Sequence, residues 1–253
     1  MRFSSLGSGS RGNATLIEHA NTCLLLDCGF TLKETERRLA RLDKSPQQIS
    51  AILVTHEHSD HANGVGPLAR KYDLPVYLTA GTYQQSRIGQ VNQLHNINCH
   101  STFAIMDIQI QPVPVPHDAR EPCQFIFDDG AKKLGVLTDL GSITPFVKQS
   151  YRQLDSLLLE CNHDLEMLEQ GPYPLALKRR ISGEYGHLSN NQAGDLLREI
   201  EIKHLQHLVI SHISEQNNST QRAVNEVVGA TGCSEHWLTV ADQTLGFDWR
   251  VIS

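Results

Sequence analysis

The chain has no run approaching the ~20 consecutive apolar residues that a membrane-spanning helix needs, and its opening residues, MRFSSLGSGSRGN, lack the apolar core of a secretory signal. A cytoplasmic location with no membrane association is the expectation that follows. No CxxC pair occurs among Cys23, Cys28, Cys99, Cys123, Cys161 and Cys233, which argues against a thiolate zinc knuckle. A disulfide framework does not suit a cytosolic chain of 253 residues either, so the thiols are expected to be reduced and mostly packed inside. Low-complexity tracts, internal repeats and linkers rich in Pro, Gly or Ser are all missing. Residues 1–253 are therefore read as one domain, long enough to bury a large core. Positive charge is also short: at a net charge of −6 the overall field gives no support to nucleic-acid binding, and only a local patch would serve. What the chain does have is histidine, 13 in all, with several beside acidic residues where apolar strands end.

The first half reads as short strands punctuated by turns: Met1–Leu6, Thr15–Glu18, Cys23–Asp27, Ala51–Thr55 and Val76–Leu78. A polar helix is expected around Thr31–Leu42 and a second over Ala62–Tyr72. Alternation returns from Phe103 to Val115, and strands are expected at Gln124–Asp128 and Leu134–Thr138. After Asp139 helix alternates with strand. Leu157–Glu160, His207–Ser211 and Trp237–Val240 are strand-like, while Asn190–Glu199 and Ser219–Ala230 look helical. A strand-rich start and a mixed finish predict an α/β chain of two similar β/α halves packed sheet to sheet, with helices outside.

The strongest chemical signal is His56-x-His58-x-Asp60-His61, released from the end of the buried strand AILVT. Borderline divalent cations favour imidazole nitrogen and carboxylate oxygen, and four such groups in a tight loop can point in different directions, so that alternate members serve two different metals. Ser59 is expected to cap the helix that follows, which places Asp60 and His61 in its first turn. A lone histidine at a strand end is usually a solvated loop residue; this spacing is not. Gly7-Ser-Gly9-Ser-Arg-Gly12 matches GxGxxG after a strand, but NATLIEHA follows it and is strand-like, so a phosphate-cradling helix is missing. The loop is better placed lining a metal cleft, with Arg11 or Asn13 near substrate.

His56–His61 resembles the HxHxDH motif of the metallo-β-lactamase superfamily, and later parts of that pattern follow in order. Asp27, closing LLLDCG, resembles the buried aspartate that orients the metal loop. His117 in PVPVPHD resembles the third histidine of the first metal site, Asp139 in LGVLTDLG the bridging carboxylate, and His212 in LVISHIS the last ligand of the second site. Each of these, taken alone, is an ordinary turn or strand-end residue; their joint order carries the resemblance. It implies a four-layer αββα sandwich, with one metal on His56, His58 and His117, another on Asp60, His61 and His212, and Asp139 between them. In the second half, SLLLECNHD, GEYGHLSNNQAGDLL and HLVISHIS resemble ribonuclease Z and, more closely, the YycJ/WalJ-type metallohydrolases, as does the opening LGSGSRGN. The resemblance covers essentially the whole chain. One departure is Cys161, where serine is expected. By the ribonuclease Z pattern Glu160 and His187 form a proton-delivery pair outside the metal shell, and Asp60 is counted with them among the catalytic residues. His163 in NHD reads more readily as a surface residue than as one approaching the site, and it is not counted as a ligand.

Two divalent ions close together ionise a water between them near neutral pH, for attack on phosphorus or a carbonyl carbon. Zinc, manganese and iron all tolerate this ligand set. A carboxylate holding an imidazole raises its pKa and lets it protonate a poor alkoxide leaving group. That favours a phosphodiesterase and a nucleic-acid substrate, with DNA ahead of RNA and an exonuclease ahead of an endonuclease on the YycJ/WalJ resemblance. Lys178, Arg179 and Arg180 are available to hold a neighbouring phosphate, although a solvated basic stretch is the plainer reading. The competing readings are a thioesterase- or lactonase-type hydrolase of the same fold and a non-catalytic, metal-stabilised regulatory protein. A redox diiron protein is disfavoured because that branch carries glutamate where this chain has His58. Oligomeric state is open.

Overall fold

Short, largely buried runs separated by turns and crossovers build the first sheet. In a computed structural model that describes residues 1–253, β1 (Arg2–Gly7), β2 (Ala14–His19) and β3 (Thr22–Leu26) form an antiparallel meander. The sheet then continues in parallel through β4 (Ala51–Leu53), β5 (Val76–Thr79) and β6 (Leu94–Ile97). Parallel neighbours need crossovers, and these carry α1 (Leu32–Arg41), α2 (Ser59–Ala62), α3 (Val65–Tyr72) and α4 (Ala80–Gln85). Helix α1 starts at Thr31, whose hydroxyl accepts from Glu34 N, and it carries Glu34 in its first turn with Arg38 and Arg41 in its last, which suits the helix dipole at both ends.

The second sheet repeats the plan. β7 (Phe103–Ile105), β8 (Ile108–Pro114), β9 (Cys123–Asp128) and β10 (Lys133–Leu137) are antiparallel neighbours. β11 (Ser156–Glu160), β12 (His207–Ser211) and β13 (Leu238–Val240) extend it in parallel. Its connections hold α5 (Pro145–Ser150), α6 (Leu165–Gln170), α7 (Leu175–Ile181), α8 (Asn190–Glu199) and α9 (Thr220–Thr231). A last strand, β14 (Phe247–Val251), crosses back to pair with β1, giving two seven-stranded sheets.

The period of two along each strand sorts side chains into three cores. Leu24, Leu26 and Leu53 of the first sheet meet Phe125, Phe127, Leu158 and Val209 of the second in a layer between the sheets. On the outer face of the first sheet, Leu25 and Ile52 pack under Leu39 of α1 and Leu68 of α3. On the outer face of the second, Leu157, Leu159 and Ile210 pack under Leu196 of α8 and Val224 of α9. Helices, sheet, sheet and helices make the four layers, as expected from the sequence. All six cysteines are free, and five are buried.

Several expectations are corrected. Ser59 does not cap the short helix: His58 occupies the N-cap position and no side chain bonds there, so Ser59 is the first helical residue. Asp60 and His61 still fall in that turn. The helix expected over Ala62–Tyr72 is split at Asn63–Gly64 into α2 and α3. Phe103–Val115 is two strands joined at Met106, whose φ is +48°. Trp237 belongs to a short 3-10 turn preceding β13. The strands β6 and β14 and the helices α4 to α7 escaped the sequence reading. Helix α7 buries no residue at all and α6 only Leu168, so neither carries the apolar stripe by which a helix is recognised.

Candidate metal centre

Every residue of the candidate site leaves the carboxyl end of a strand or sits on a loop folded over those ends. The loop after β4 is held down on the exit of β3: Asp60 O accepts from Asn13 N and His61 O from Cys28 N. Gly29 is needed there, because a Cβ would come within 1.8 Å of Asp60 O. Asp27 and His212, the first residues beyond β3 and β12, and Asp139, the second beyond β10, have φ of +60°, +53° and +52°. That left-handed conformation costs non-glycine residues energy, least for Asp, Asn and His, and here it turns each side chain away from its strand axis.

Four of the histidines are oriented through Nδ1. Asp27 Oδ1 accepts from Thr55 N at 2.8 Å, and Oδ2 takes Thr55 Oγ1 at 2.9 Å and His61 Nδ1 at 2.8 Å. Thr55, having given its proton to Asp27, accepts from His56 Nδ1 at 2.9 Å. His117 Nδ1 donates to Gly186 O at 3.0 Å, and His212 Nδ1 lies 2.9 Å from Glu160 Oε1. In each case Nε2 is left for the cleft, the arrangement by which metal-binding imidazoles are set. His58 instead places Nδ1 3.3 Å from His117 Nε2.

The outcome is a set of donor atoms within 4.8 Å of one another in overlapping groups: His56, His58 and His117; Asp60, His61 and His212; and Asp139 with His56 and His61. Asp139 also groups with Glu160, His187 and His212, so it lies between the two trios. Three buried atoms of this set, His56 Nε2, Asp139 Oδ2 and His212 Nε2, have no hydrogen-bond partner. Buried polar atoms are rarely left so, and unpartnered nitrogen and carboxylate oxygen converging on one space are what a divalent cation requires. The residues fit a metal.

The electrostatics agree. Burial pushes the His56 imidazole well below its ordinary range and also lowers His117, so both are neutral and ready to ligate. Burial opposes charge on His61 and His212 as well, but Asp139 and Asp60 outweigh it, holding His61 well above the ordinary imidazole range and His212 up at about 10. Burial raises Asp139 too, yet His212 and His61 dominate and keep it ionised. The same buried carboxylates that favour protons on His61 and His212 would favour a cation in their place.

Glu160 is fully buried. Its Oε1 lies 2.8 Å from His187 Nδ1 and 2.9 Å from His212 Nδ1, and Oε2 accepts from Leu188 N and Leu140 N. The sequence reading missed the contact with His212: Glu160 braces two histidines at once. His187, half-buried, keeps its Nδ1 on Glu160; burial opposes its charge, but Glu160 and Asp139 raise its pKa.

His163, expected at the surface, is 1% exposed with its Nδ1 unpartnered, and burial lowers it to about 4. It belongs to none of the donor groups. Asn13 comes within 3.1 Å of His61 Nε2, and Ser8 Oγ accepts from His212 N, whereas Arg11 is exposed and paired with Glu215. No helix follows the glycine-rich loop, which runs directly into β2. Cys161 is buried in the outer core and burial raises its thiol pKa. The sequence reading also missed Asp118, which neighbours His117; its Oδ1 lies 3.6 Å from His117 Nε2 and 3.8 Å from His58 Nε2, and its Oδ2 takes Arg180. A cavity of about 570 Å³ opens beside His58, lined by Glu57, Ser59, Asn63, Arg87 and Asp118 among others.

Comparison with known proteins agrees with this architecture. A sequence profile described as the Beta-lactamase superfamily domain matches residues 22–213. The chain is 36% identical to the exodeoxyribonuclease YycJ of Bacillus anthracis over 88% of this chain and 86% of that one. It is 34% identical to the exodeoxyribonuclease WalJ of Streptococcus pneumoniae serotype 2, over 99% and 93%. Among solved structures it superposes on the metallo-beta-lactamase fold protein YhfI of Bacillus subtilis with a TM-score of 0.77 at 15% identity, covering 98% of each chain.

Proposed function

The chain belongs to the metallo-β-lactamase superfamily and is a metal-dependent hydrolase, and within that family we propose a dinuclear phosphodiesterase that degrades DNA from an end. His56, His58 and His117 would hold one divalent ion, Asp60, His61 and His212 the other, and Asp139 would touch both. The nitrogen and oxygen donors suit zinc, manganese or iron. Ions bound there supply Lewis acidity and bring the pKa of a water toward neutrality. Residues 1–253 act as one domain in this reading, since both sheets contribute ligands.

The observation that carries the reading is the Glu160–His187 pair at the edge of the donor cluster, at 2.8 Å. Glu160 keeps the imidazole protonated, and His187 Nε2, bonded to no protein group, delivers a proton to the departing oxygen. A sugar alkoxide is a poor leaving group and needs that proton, whereas a thiolate from a thioester does not. The organisation thus favours a phosphodiester over the thioester alternative. The names of the YycJ and WalJ relatives support DNA and an exonucleolytic mode.

The test compares leaving groups. Wild type and His187→Ala are loaded with zinc or manganese and assayed on end-labelled DNA and RNA, single- and double-stranded, and on bis-p-nitrophenyl phosphate. His187→Ala is expected to lose ~10²–10⁴-fold in kcat on DNA and little on the activated ester, whose leaving group departs without a proton. Equal losses on both substrates would remove proton delivery from His187. Product lengths on labelled DNA separate release from an end from internal cutting.

A further inference from the structure

Tyr185 is the most exposed aromatic side chain near the metal centre, at 62% of its free surface, and none of the aromatic or cation–π pairs includes it. The turn that carries it is anything but loose. Gly186 N donates to Gly183 O at 2.9 Å, Tyr185 O accepts from Asp118 N at 2.9 Å, and Gly186 O is the acceptor that orients His117. His187 N closes back on Ile181 O at 2.8 Å. Backbone crowding packs the turn on its C-terminal side: a Cβ on Gly186 would come within 2.2 Å of Arg180 O, and one on Gly141, from the loop beyond β10, within 2.3 Å of Gly186 N. The protein therefore presents a large aromatic ring to solvent from a fixed backbone turn, one residue from the carbonyl that aims His117 and two from His187.

The surroundings of the ring decide what it is for. Gly183, Glu184, Gly186 and the ion-paired Arg180 and Asp118 offer no apolar rim of the kind that seats a protein partner. They do carry a cation on the same turn: Arg180 pairs with Asp118, whose N–H donates to Tyr185 O. Of the three basic residues at the end of α7 only Arg180 turns to the site, through its pair with Asp118; Lys178 reaches Glu169 O, and Arg179 lines a hollow with Leu165, Leu168 and Leu175. An exposed, unpaired ring on a turn that Asp118 ties to Arg180 suits a nucleotide, with its base on the ring and its phosphate toward the cation.

We propose that Tyr185 is a stacking platform for one base of a single-stranded nucleic acid near the scissile phosphate, with Arg180 beside the backbone at that step. This inference rests on reading the site as a nuclease. Tyr185 is a positioning residue in it: the ring holds the strand in register with His187 and takes no part in bond breaking.

The experiment is a cycle between protein and substrate. Wild type, Tyr185→Ala and Tyr185→Phe, each with its full complement of zinc or manganese, cleave single-stranded oligonucleotides that are intact or abasic at one of successive positions from the cut. On intact strands Tyr185→Ala is expected to raise KM about 5- to 100-fold with kcat and bound metal unchanged, and Tyr185→Phe to restore it. An abasic residue at one position raises KM for wild type by a similar factor and adds nothing in Tyr185→Ala. An unchanged KM in Tyr185→Ala, or the same abasic penalty in both proteins at every position, overturns the platform while leaving the nuclease reading intact. If metal-loaded wild type cleaves bis-p-nitrophenyl phosphate but no nucleic acid, the nuclease reading falls, and this inference with it.

Discussion

The two sheets contribute to the proposed metal centre in opposite ways. The first crowds His56, His58, Asp60 and His61 onto one loop after β4, backed by Asp27 from the neighbouring strand. The second contributes one group per strand exit: His117 beyond β8, Asp139 beyond β10, Glu160 at the end of β11 and His212 beyond β12. A crowded loop gains proximity from chain connectivity, and its weak point is the clamp that folds it. A dispersed set gains its geometry from sheet register, so each member depends on the strands beside it, and only the assembled sheet brings the members together.

The sharpest way to break this contrast is to remove Asp139, which lies between the two trios. Asp139→Ala is expected to reduce turnover to background and to lower the affinity for both ions, whereas His58→Ala also abolishes turnover but spares the site built from Asp60, His61 and His212. Metal content by elemental analysis, read beside activity, checks both. A smaller effect is expected from Asp27→Asn. The amide keeps the volume but weakens the hold on His61 Nδ1, and a loss of about 10- to 100-fold in metal affinity or activity is expected, as for other groups that orient a ligand. An affinity equal to wild type would mean that the loop holds its shape without that clamp.

A different readout is stability. In the metal-free chain His212 is lifted from 6.5 to about 10, against the burial that opposes its charge, by Asp139, Asp60 and Glu160. A raised pKa means that the native state binds the proton more tightly than the unfolded one. The stabilisation is therefore complete below about 6.5 and lost as pH rises through about 10. Chelator-treated protein should lose Tm across that window. Metal-loaded protein should not, because there the imidazole binds as the neutral base. Parallel curves for the two forms would mean that His212 does not exchange a proton for a metal.

The same contrast explains what was legible in the sequence. The first sheet's ligands form a contiguous word, HEHSDH after AILVT, so residue type and spacing expose them together. The second sheet's ligands are single residues at strand ends, each ordinary alone, and only the family pattern gave them an order. Nothing in a linear string says that Glu160 reaches both His187 and His212, since that depends on the parallel register of β11 and β12 and on a loop returning from α7. Asp118 stood beside His117 in plain view, but its meaning comes from Arg180, distant in the chain. His163 looked like a surface residue because polar neighbours flank it, and burial by the loop around Leu188 and Ser189 is a tertiary fact. The layers were readable from short apolar strands between turns in β1 to β4 and β8 to β12; α6 and α7 were not, because helices lying on solvent need no apolar stripe.

The left-handed residues at the ends of β3, β10 and β12 narrow the choice of amino acids at those three places. A valine or isoleucine there would fight the backbone before it met any ion, while asparagine, aspartate, histidine and glycine are tolerated. Attempts to redesign this centre for another cation therefore work with a restricted alphabet at Asp27, Asp139 and His212. The freer positions are His58, at φ −58°, and Asp60, in the first turn of α2, and retuning of selectivity is best begun there.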